Sequence, residues 1–282
     1  MVREQTLMND RQLLEHHAIF PKKSLGQNFL HDPNLLEKIA EIADLTPQTT
    51  VLEVGPGTGN LTRVLAQQAG RVIAVEIDDR LMMLLEREFA DHPRVKLALA
   101  DILEVNLREL VGDDPYIVVA NLPYYITSAI LRYFLEASHK PMRLVVTVQY
   151  EVAERLVAEP GDMSLLAVSA QFYGHPQIML RLNPAVFWPR PEVDSAVVRL
   201  DVYDQPPIAV PGEKQFFRIV RAGFGQKRKQ LRNSISAGLH LDKSQADQLL
   251  IQAGVDPQRR AETLSLDEWA AITRMAADQG LV

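Results

Sequence analysis

TVLEVGPGTGN, residues 50–60, decides the fold. A short apolar, β-prone run stops at a segment holding three glycines and a proline. NLTRVLAQQA (60–69), with apolar residues at helical spacing, follows at once. A buried strand that turns through glycines directly into a helix is the first unit of a parallel sheet covered by helices. The same alternation repeats downstream. VIAVEI (72–77), VKLALA (95–100), IVVA (117–120) and LVVTVQ (144–149) are short apolar runs separated by helical patterns such as RLMMLLEREFA (80–90) and ITSAILRYFLEA (126–137). The expected fold class is α/β, a doubly wound Rossmann-like sheet. The pattern then changes. QIMLRL (177–182) and SAVVRL (195–200) flank a proline-rich link and predict a hairpin at the sheet edge, DQPPIAVPG (204–212) predicts a linker, and only helical patterns follow. The expected division is a loose tail over 1–20, an α/β domain over 21–204 and a small C-terminal helical domain over 205–282.

Composition narrows the function. The chain has 282 residues, 47% of them hydrophobic, enough for a substantial core. No apolar run approaches the roughly 18 residues of a membrane helix, and the polar N-terminus lacks the apolar centre of a signal peptide. With no cysteine, disulfides, thiolate metal sites and cysteine nucleophiles are excluded, and no metal site is expected. A cytoplasmic monomer is the expectation. A net charge of −6 argues against a nucleic-acid partner, yet residues 214–241 contain no acid and seven bases: Lys214, Arg218, Arg221, Lys227, Arg228, Lys229 and Arg232. A one-signed run in an acidic chain favours an anionic partner over a merely solvated helix face.

The turn after the first strand is Gly55-Pro56-Gly57-Thr58-Gly59-Asn60. The dinucleotide fingerprint places glycines at positions 1, 3 and 6; here they fall at 1, 3 and 5. That is the spacing of S-adenosylmethionine enzymes rather than of NAD enzymes, and it sets a dehydrogenase aside. Glu76 ends the second strand, 21 residues beyond Gly55, where a carboxylate can accept from both ribose hydroxyls of an adenosine. Asp101 ends the third, where a carboxylate can accept from the adenine amino group or simply cap a helix. All three stand at the carboxyl ends of strands, the edge at which open α/β sheets bind ligands.

The fourth strand delivers NLPYY (121–125) to that edge. The amino nitrogen of adenine or cytosine is a poor nucleophile because its lone pair is delocalised into the ring. Acceptors on its two N–H bonds pull it toward tetrahedral geometry. The Asn121 side-chain oxygen can supply one and the Leu122 carbonyl the other, while Pro123 keeps Leu122 out of the helical region. Tyr124 can stack on the base. A methyl group would then pass in line from a sulfonium, with no covalent enzyme intermediate, the rate coming from positioning and matched acceptors. A base in a duplex must be flipped out, or taken from a loop, to enter. Phe187 and Trp188, in the stiff FWPRPEVDS (187–195), offer aromatics for its other face, or else pack an edge-strand bend.

KKSLGQNFLHD (22–32), LEVGPGTGNLT (52–62), AVEID (74–78), ADIL (100–103), NLPYYIT (121–127), FWPRPEVDSAVVRL (187–200), FGQKRKQLRNS (224–234) and DPQRRAETLSLDEW (256–269) together resemble the ribosomal RNA small-subunit adenine-N6,N6-dimethyltransferase family, from about residue 21 to the end. The resemblance implies a SAM-dependent methyltransferase domain followed by a small helical domain. It implies S-adenosylmethionine as methyl donor and dimethylation of two adjacent adenosines in a hairpin loop near the 3′ end of small-subunit ribosomal RNA. By position, it places cofactor contacts on Asn28, Leu30, Gly55, Glu76, Asp101 and Asn121, the amino-group chemistry on Asn121, Leu122, Pro123 and Tyr124, and a second stacking aromatic on Phe187. Asn28 has no such reading from the residues alone, which make QNFL a loop packing on the sheet. Trp188 and Arg190 depart from a proline-richer run. The basic stretch, through Arg221, Lys227, Arg228 and Arg232, would grip RNA phosphates of an immature small subunit. Two other readings stay open: a large-subunit adenine methyltransferase of the macrolide-resistance type, and a ribosome-assembly checkpoint whose main role is binding.

Overall fold

The computed structural model describes residues 10–226 and 228–282. The chain opens with α1 (Asp10–His16), β1 (Phe29–Leu30) and α2 (Pro33–Ala43). The predicted alternation follows as β2 (Thr50–Val54), α3 (Asn60–Gln68), β3 (Arg71–Glu76), α4 (Asp79–Glu88), β4 (Val95–Leu99), α5 (Leu107–Val111), β5 (Tyr116–Asn121), α6 (Thr127–Glu136) and β6 (Arg143–Gln149). These strands pair in parallel in the order β4-β3-β2-β5-β6. Strand order reverses between β2 and β5, so a crevice opens beyond their carboxyl ends. The strands read as unbroken apolar runs because helices cover both faces: Val51, Leu52, Ile73, Val118 and Val145 are all fully buried. α2 starts where it does because Asp32 accepts from the Asn34 and Leu35 N–H groups and Pro33 occupies the first turn.

β7 (Gly174–Leu182) and β9 (Ser195–Val202) complete a seven-stranded sheet as β6-β9-β7, with β9 antiparallel to β6. The two predicted strands are therefore neighbours at the sheet edge. The link between them is more ordered than a bend. Its β8 (Phe187–Trp188) pairs with β1, setting Phe29 opposite Trp188 and Leu30 opposite Phe187. Two-residue strands carry no periodicity, so QNFL and FWPRP gave no sign of meeting. α7 (Tyr150–Leu156) and α8 (Leu165–Tyr173), between β6 and β7, were likewise unread.

The chain packs as two compact units. One, described from Asp10, runs to Ala153 and takes in Gln177–Val202; the other is Glu154–Pro176 with Tyr203–Val282. In the second unit α9 (Glu213–Phe224), α10 (Leu231–Leu239), α11 (Lys243–Gln252) and α12 (Leu266–Asp278) join α8. The sequence division at 204/205 sees only the last of the three crossings between units. α8 belongs with the C-terminal helices because it is apolar almost all round, and its Phe172 stacks on Phe216 with ring centroids 4.6 Å apart. The tail expected over 1–20 also differs from 10 onward. α1 is folded against the first unit, with Leu14 and Ile19 buried among Phe29, Leu81 and Leu84. Among the described residues no helix is long and apolar enough to cross a membrane.

Phe216, fully buried at the centre of the aromatic cluster of the second unit, sets a test of this packing. Phe216→Ala is expected to cost about 3–5 kcal/mol of stability, read from the urea midpoint of that unit's transition.

Candidate active site

The carboxyl ends of β2, β3 and β5, with the residues that follow β4, open into a cavity of about 220 Å³. Its walls include Asn28, Gly55, Glu76, Asp101, Asn121, Leu122, Pro123 and Tyr124, so eight of the residues singled out from the sequence converge on one space. The glycine turn forms its floor. Gly55, Gly57 and Gly59 all have positive φ, at 68°, 61° and 83°, the conformation that favours glycine. A Cβ on Gly57 would also lie 2.8 Å from the Phe29 ring, so the turn and β1 can pack only because that position has no side chain.

Glu76 is almost fully buried and ties the turn to the end of β3. Its Oε2 accepts from the Gly57 N–H at 3.2 Å, and its Oε1 from the Ile77 and Asp78 N–H groups at 3.0 and 2.9 Å. Burial raises its pKa and the three backbone donors oppose that shift. A carboxylate has about four acceptor directions; with three taken, the remainder can serve a hydroxyl in the cavity. Asp101 Oδ1 accepts from the Leu103 N–H at 2.9 Å, so it makes the local turn bond as well as lining the cavity.

Asn121 is held by a contact to a backbone carbonyl, which no residue type announces. Its Nδ2 donates to the Asn28 carbonyl at 2.7 Å. The amide nitrogen is thereby engaged, and the side-chain oxygen is the end left to accept. Leu122 donates its N–H to the Thr147 carbonyl at 3.1 Å. Pro123, at φ −60° and ψ 129°, continues the extended backbone before the 3₁₀ turn Tyr124–Ile126. Burial raises the Tyr124 pKa, and its hydroxyl lies 2.7 Å from that of Ser195.

The loop that supplies Asn28 is also tied to the start of α4, where Asp78 is the N-cap. The Asp78 carboxylate accepts from Gln27 Nε2 at 3.0 Å and pairs with Lys22 Nζ at 3.3 Å, while hydrogen bonds from Arg80 hold its pKa well below the usual range. Gly26, at φ 59°, brings the loop against Tyr125, whose ring a Cβ there would approach to 3.3 Å.

Two expected site residues sit elsewhere. Leu30 lines a smaller space of about 30 Å³ on the other side of the glycine turn, with Glu53, Thr58 and Asn60. Phe187 is only 3% exposed and packs in the core beside Leu30, outside the lining of either cavity. Trp188 packs against the cluster of Leu14 and Phe29. Of the basic residues, Arg221, Arg228 and Lys229 are exposed and Arg232 is half-buried, pairing with Asp247 at 3.4 Å; Lys227 lies outside the described residues. Among the described residues no cluster of acids and histidines is fit to hold a metal ion.

Comparison with known proteins shows the family. The family model for ribosomal RNA adenine dimethylase matches residues 20–278. The chain is 48% identical over 260 residues to the ribosomal RNA small subunit methyltransferase A of Dehalococcoides mccartyi strain CBDB1, covering 92% of this chain and 89% of that one. It is 48% identical over 253 residues to the protein of the same name from Desulfitobacterium hafniense strain Y51, covering 89% and 90%. Among solved structures, the 23S rRNA methyltransferase ErmE superposes with a TM-score of 0.70 at 29% identity, over 88% of this chain and 98% of that one. A dimethyladenosine transferase from Plasmodium falciparum superposes at 0.76 and 22% identity, over 89% and 98%; that likeness shows the fold.

Glu53, at the foot of the glycine turn, is 1% exposed, and among the described residues its Oε2 has no hydrogen-bond partner. Burial, reinforced by the nearby Glu76 charge, pushes its pKa from 4.5 up to about 8. The folded state thus favours the protonated carboxyl. Its contribution is complete below the unfolded pKa and is lost as pH rises through the folded one. Glu53→Gln, which mimics the neutral form, is expected to gain stability relative to the parent chain between pH 5 and pH 8.5, read from urea midpoints at the two pH values.

Proposed function

The chain belongs to the ribosomal RNA adenine dimethylase family, and from that membership we propose that its cavity transfers methyl groups from S-adenosylmethionine to N6 of two adjacent adenosines in a hairpin loop near the 3′ end of small-subunit ribosomal RNA. The product is N6,N6-dimethyladenosine, made late in small-subunit assembly by a cytoplasmic monomer. The observation that carries this reading is the Asn121 side chain, pinned through its nitrogen and lining the same cavity as Glu76 and Asp101.

The residues present fit the cofactor. The positive-φ glycine turn lets a ligand approach the backbone, Glu76 keeps an acceptor direction for a ribose hydroxyl, and Asp101 can accept from the adenine amino group. Asn28 closes the cavity on the side facing Asn121. When bound, S-adenosylmethionine supplies an electrophilic methyl group on a sulfonium.

The chain's own residues prepare the nucleophile. The Asn121 oxygen and the Leu122 carbonyl accept the two N–H bonds of the target amine, localising its lone pair and matching the positive charge that grows there. Pro123 fixes the Leu122 carbonyl in extended backbone, and the Tyr124 ring stacks on the flipped base. Neither acceptor is a base at neutral pH, so the surplus proton leaves to water. For the second transfer the amine retains one N–H, and one acceptor suffices to hold it. We assign Phe187 to packing β8 on β1 rather than to direct stacking, given its burial.

The likeness to ErmE favours the large-subunit reading as the competitor; the higher identity to small-subunit enzymes outweighs it. Incubation with labelled S-adenosylmethionine and separated, unmethylated subunits tests both. Label in small-subunit RNA, recovered as N6,N6-dimethyladenosine, is the expected result. Label confined to the large subunit would replace the proposal with its competitor. Asn121→Ala is expected to slow transfer about 10²–10³-fold, the scale of one lost oriented electrostatic contact. If that variant supported subunit maturation at the normal rate, binding would be the main role.

The basic surface generates a separate expectation. Arg221→Glu and Arg228→Glu should each weaken RNA binding and lower the salt slope by about 1, leaving S-adenosylmethionine binding unchanged. Arg232→Glu should also perturb folding, because Arg232 is half-buried against Asp247.

A further inference from the structure

Ser195 is fully buried at the first position of β9, yet its hydroxyl lies 2.7 Å from that of Tyr124, across 71 residues of sequence. Topology explains the meeting. β9 runs antiparallel to β6, with Ser195 opposite Gln149 and Val198 opposite Val146. An antiparallel strand inserted beside parallel ones brings its first residue, not its last, to their carboxyl edge. β5 ends there at Asn121, which pairs with Thr147 of β6. Ser195 is thus the last residue of FWPRPEVDS and the one that reaches the base-binding side of the sheet. The backbone around it is fixed as well, since the Tyr150 N–H donates to the Asp194 carbonyl at 2.9 Å.

We propose that Ser195 is a positioning residue for the methyl transfer: through its hydroxyl it locks the Tyr124 ring in the orientation that stacks on the target adenine. This rests on the reading of the site given above. A tyrosine ring is attached through two rotatable bonds, and nothing in a 3₁₀ turn by itself sets the plane of the ring. Tyr124 lines the cavity and needs one plane. The hydrogen bond at its far end fixes the direction of the ring axis, and because a phenol hydroxyl donates and accepts near the plane of its ring, the position of the Ser195 hydroxyl favours one plane as well. The adjacent Tyr125 makes the contrast: it is 60% exposed and rests on the Gly26 turn rather than on a buried hydroxyl. The bond lies inside the protein, where its loss leaves a buried hydroxyl unpaired, so it also resists breaking when a base enters.

The test uses the full chain with unmethylated small subunits and four variants: Ser195→Ala, Tyr124→Phe, the two combined, and Tyr124→Ala. Ser195→Ala and Tyr124→Phe remove the same bond from opposite ends. Each is expected to lower kcat about tenfold, with the KM for S-adenosylmethionine unchanged and the melting temperature lowered only by the loss of one buried hydrogen bond, most in Tyr124→Phe, which leaves the Ser195 hydroxyl unpaired. The double variant should be no slower than the slower single one, because the two changes delete one interaction. Parent-like kcat in both single variants, an effect on KM alone, or losses that multiply in the double variant would each overturn the proposal. Tyr124→Ala separates it from its premise. If that variant is slow while Ser195→Ala is not, the ring matters and Ser195 does not position it. If Tyr124→Ala transfers at the parent rate, the stacking reading fails first and the proposal with it. Should Ser195→Ala not fold, Tyr124→Phe alone decides: a tenfold loss supports the lock and a parent-like rate overturns it.

Discussion

A hydrogen bond of 2.7 Å from Asn121 Nδ2 to the Asn28 carbonyl joins the end of β5 to a loop 93 residues earlier in the chain. An amide side chain has a donor end and an acceptor end, and the proposed chemistry needs the acceptor end to face the base. Engaging the nitrogen settles which end is available. Much of the site follows from keeping that bond. The Asn28 loop must lie down over the sheet edge, which Asp78 enforces by holding Gln27 and Lys22. β1, next along the chain, must be paired, which β8 provides. The glycine turn must present no side chain toward Phe29, which Gly57 satisfies.

The same constraint connects fold to reactivity. Parallel strands carry Glu76, Asp101 and Asn121 to one edge because each leaves its strand at the carboxyl end. Position along the sheet then divides the work. β3 and β4 lie on one side of the switch point, where the proposed cofactor contacts Glu76 and Asp101 stand, and β5 and β6 on the other, with Asn121. The antiparallel β9 adds a contact from the opposite strand direction, which is why a motif near the sheet edge ends beneath Tyr124. Burial does electrostatic work as well. Glu53 and Glu76 both lie at the glycine turn, and both have pKa values raised by their dry surroundings, Glu76 against the pull of three backbone donors.

What the sequence disclosed and what it hid divide along physical lines. The five parallel strands were legible because strands covered on both faces are apolar throughout, and Gly55, Glu76, Asp101 and Asn121 because they stand at the ends of those runs. The β1–β8 pair was not legible, since two residues carry no period. The grouping of 154–176 with the C-terminal helices was hidden because a helix apolar all round signals burial without naming its partner. Asn28 enters through its backbone carbonyl, which every residue possesses, so no residue type could announce it; only the family resemblance pointed there. Phe187 shows the converse. An aromatic in a stiff proline-rich run can stack on a base or pack; the sequence favours stacking for Phe187, and burial places it in the core.

The most direct measurement is a crystal structure of the chain with S-adenosylhomocysteine, the demethylated form of the proposed donor. The account predicts the ribose against Glu76, the adenine amino group at Asp101, and Asn121 Nδ2 still donating to the Asn28 carbonyl, with its oxygen facing the open end of the cavity. A ligand bound elsewhere, or an Asn121 side chain turned to place its nitrogen toward the base, would contradict it.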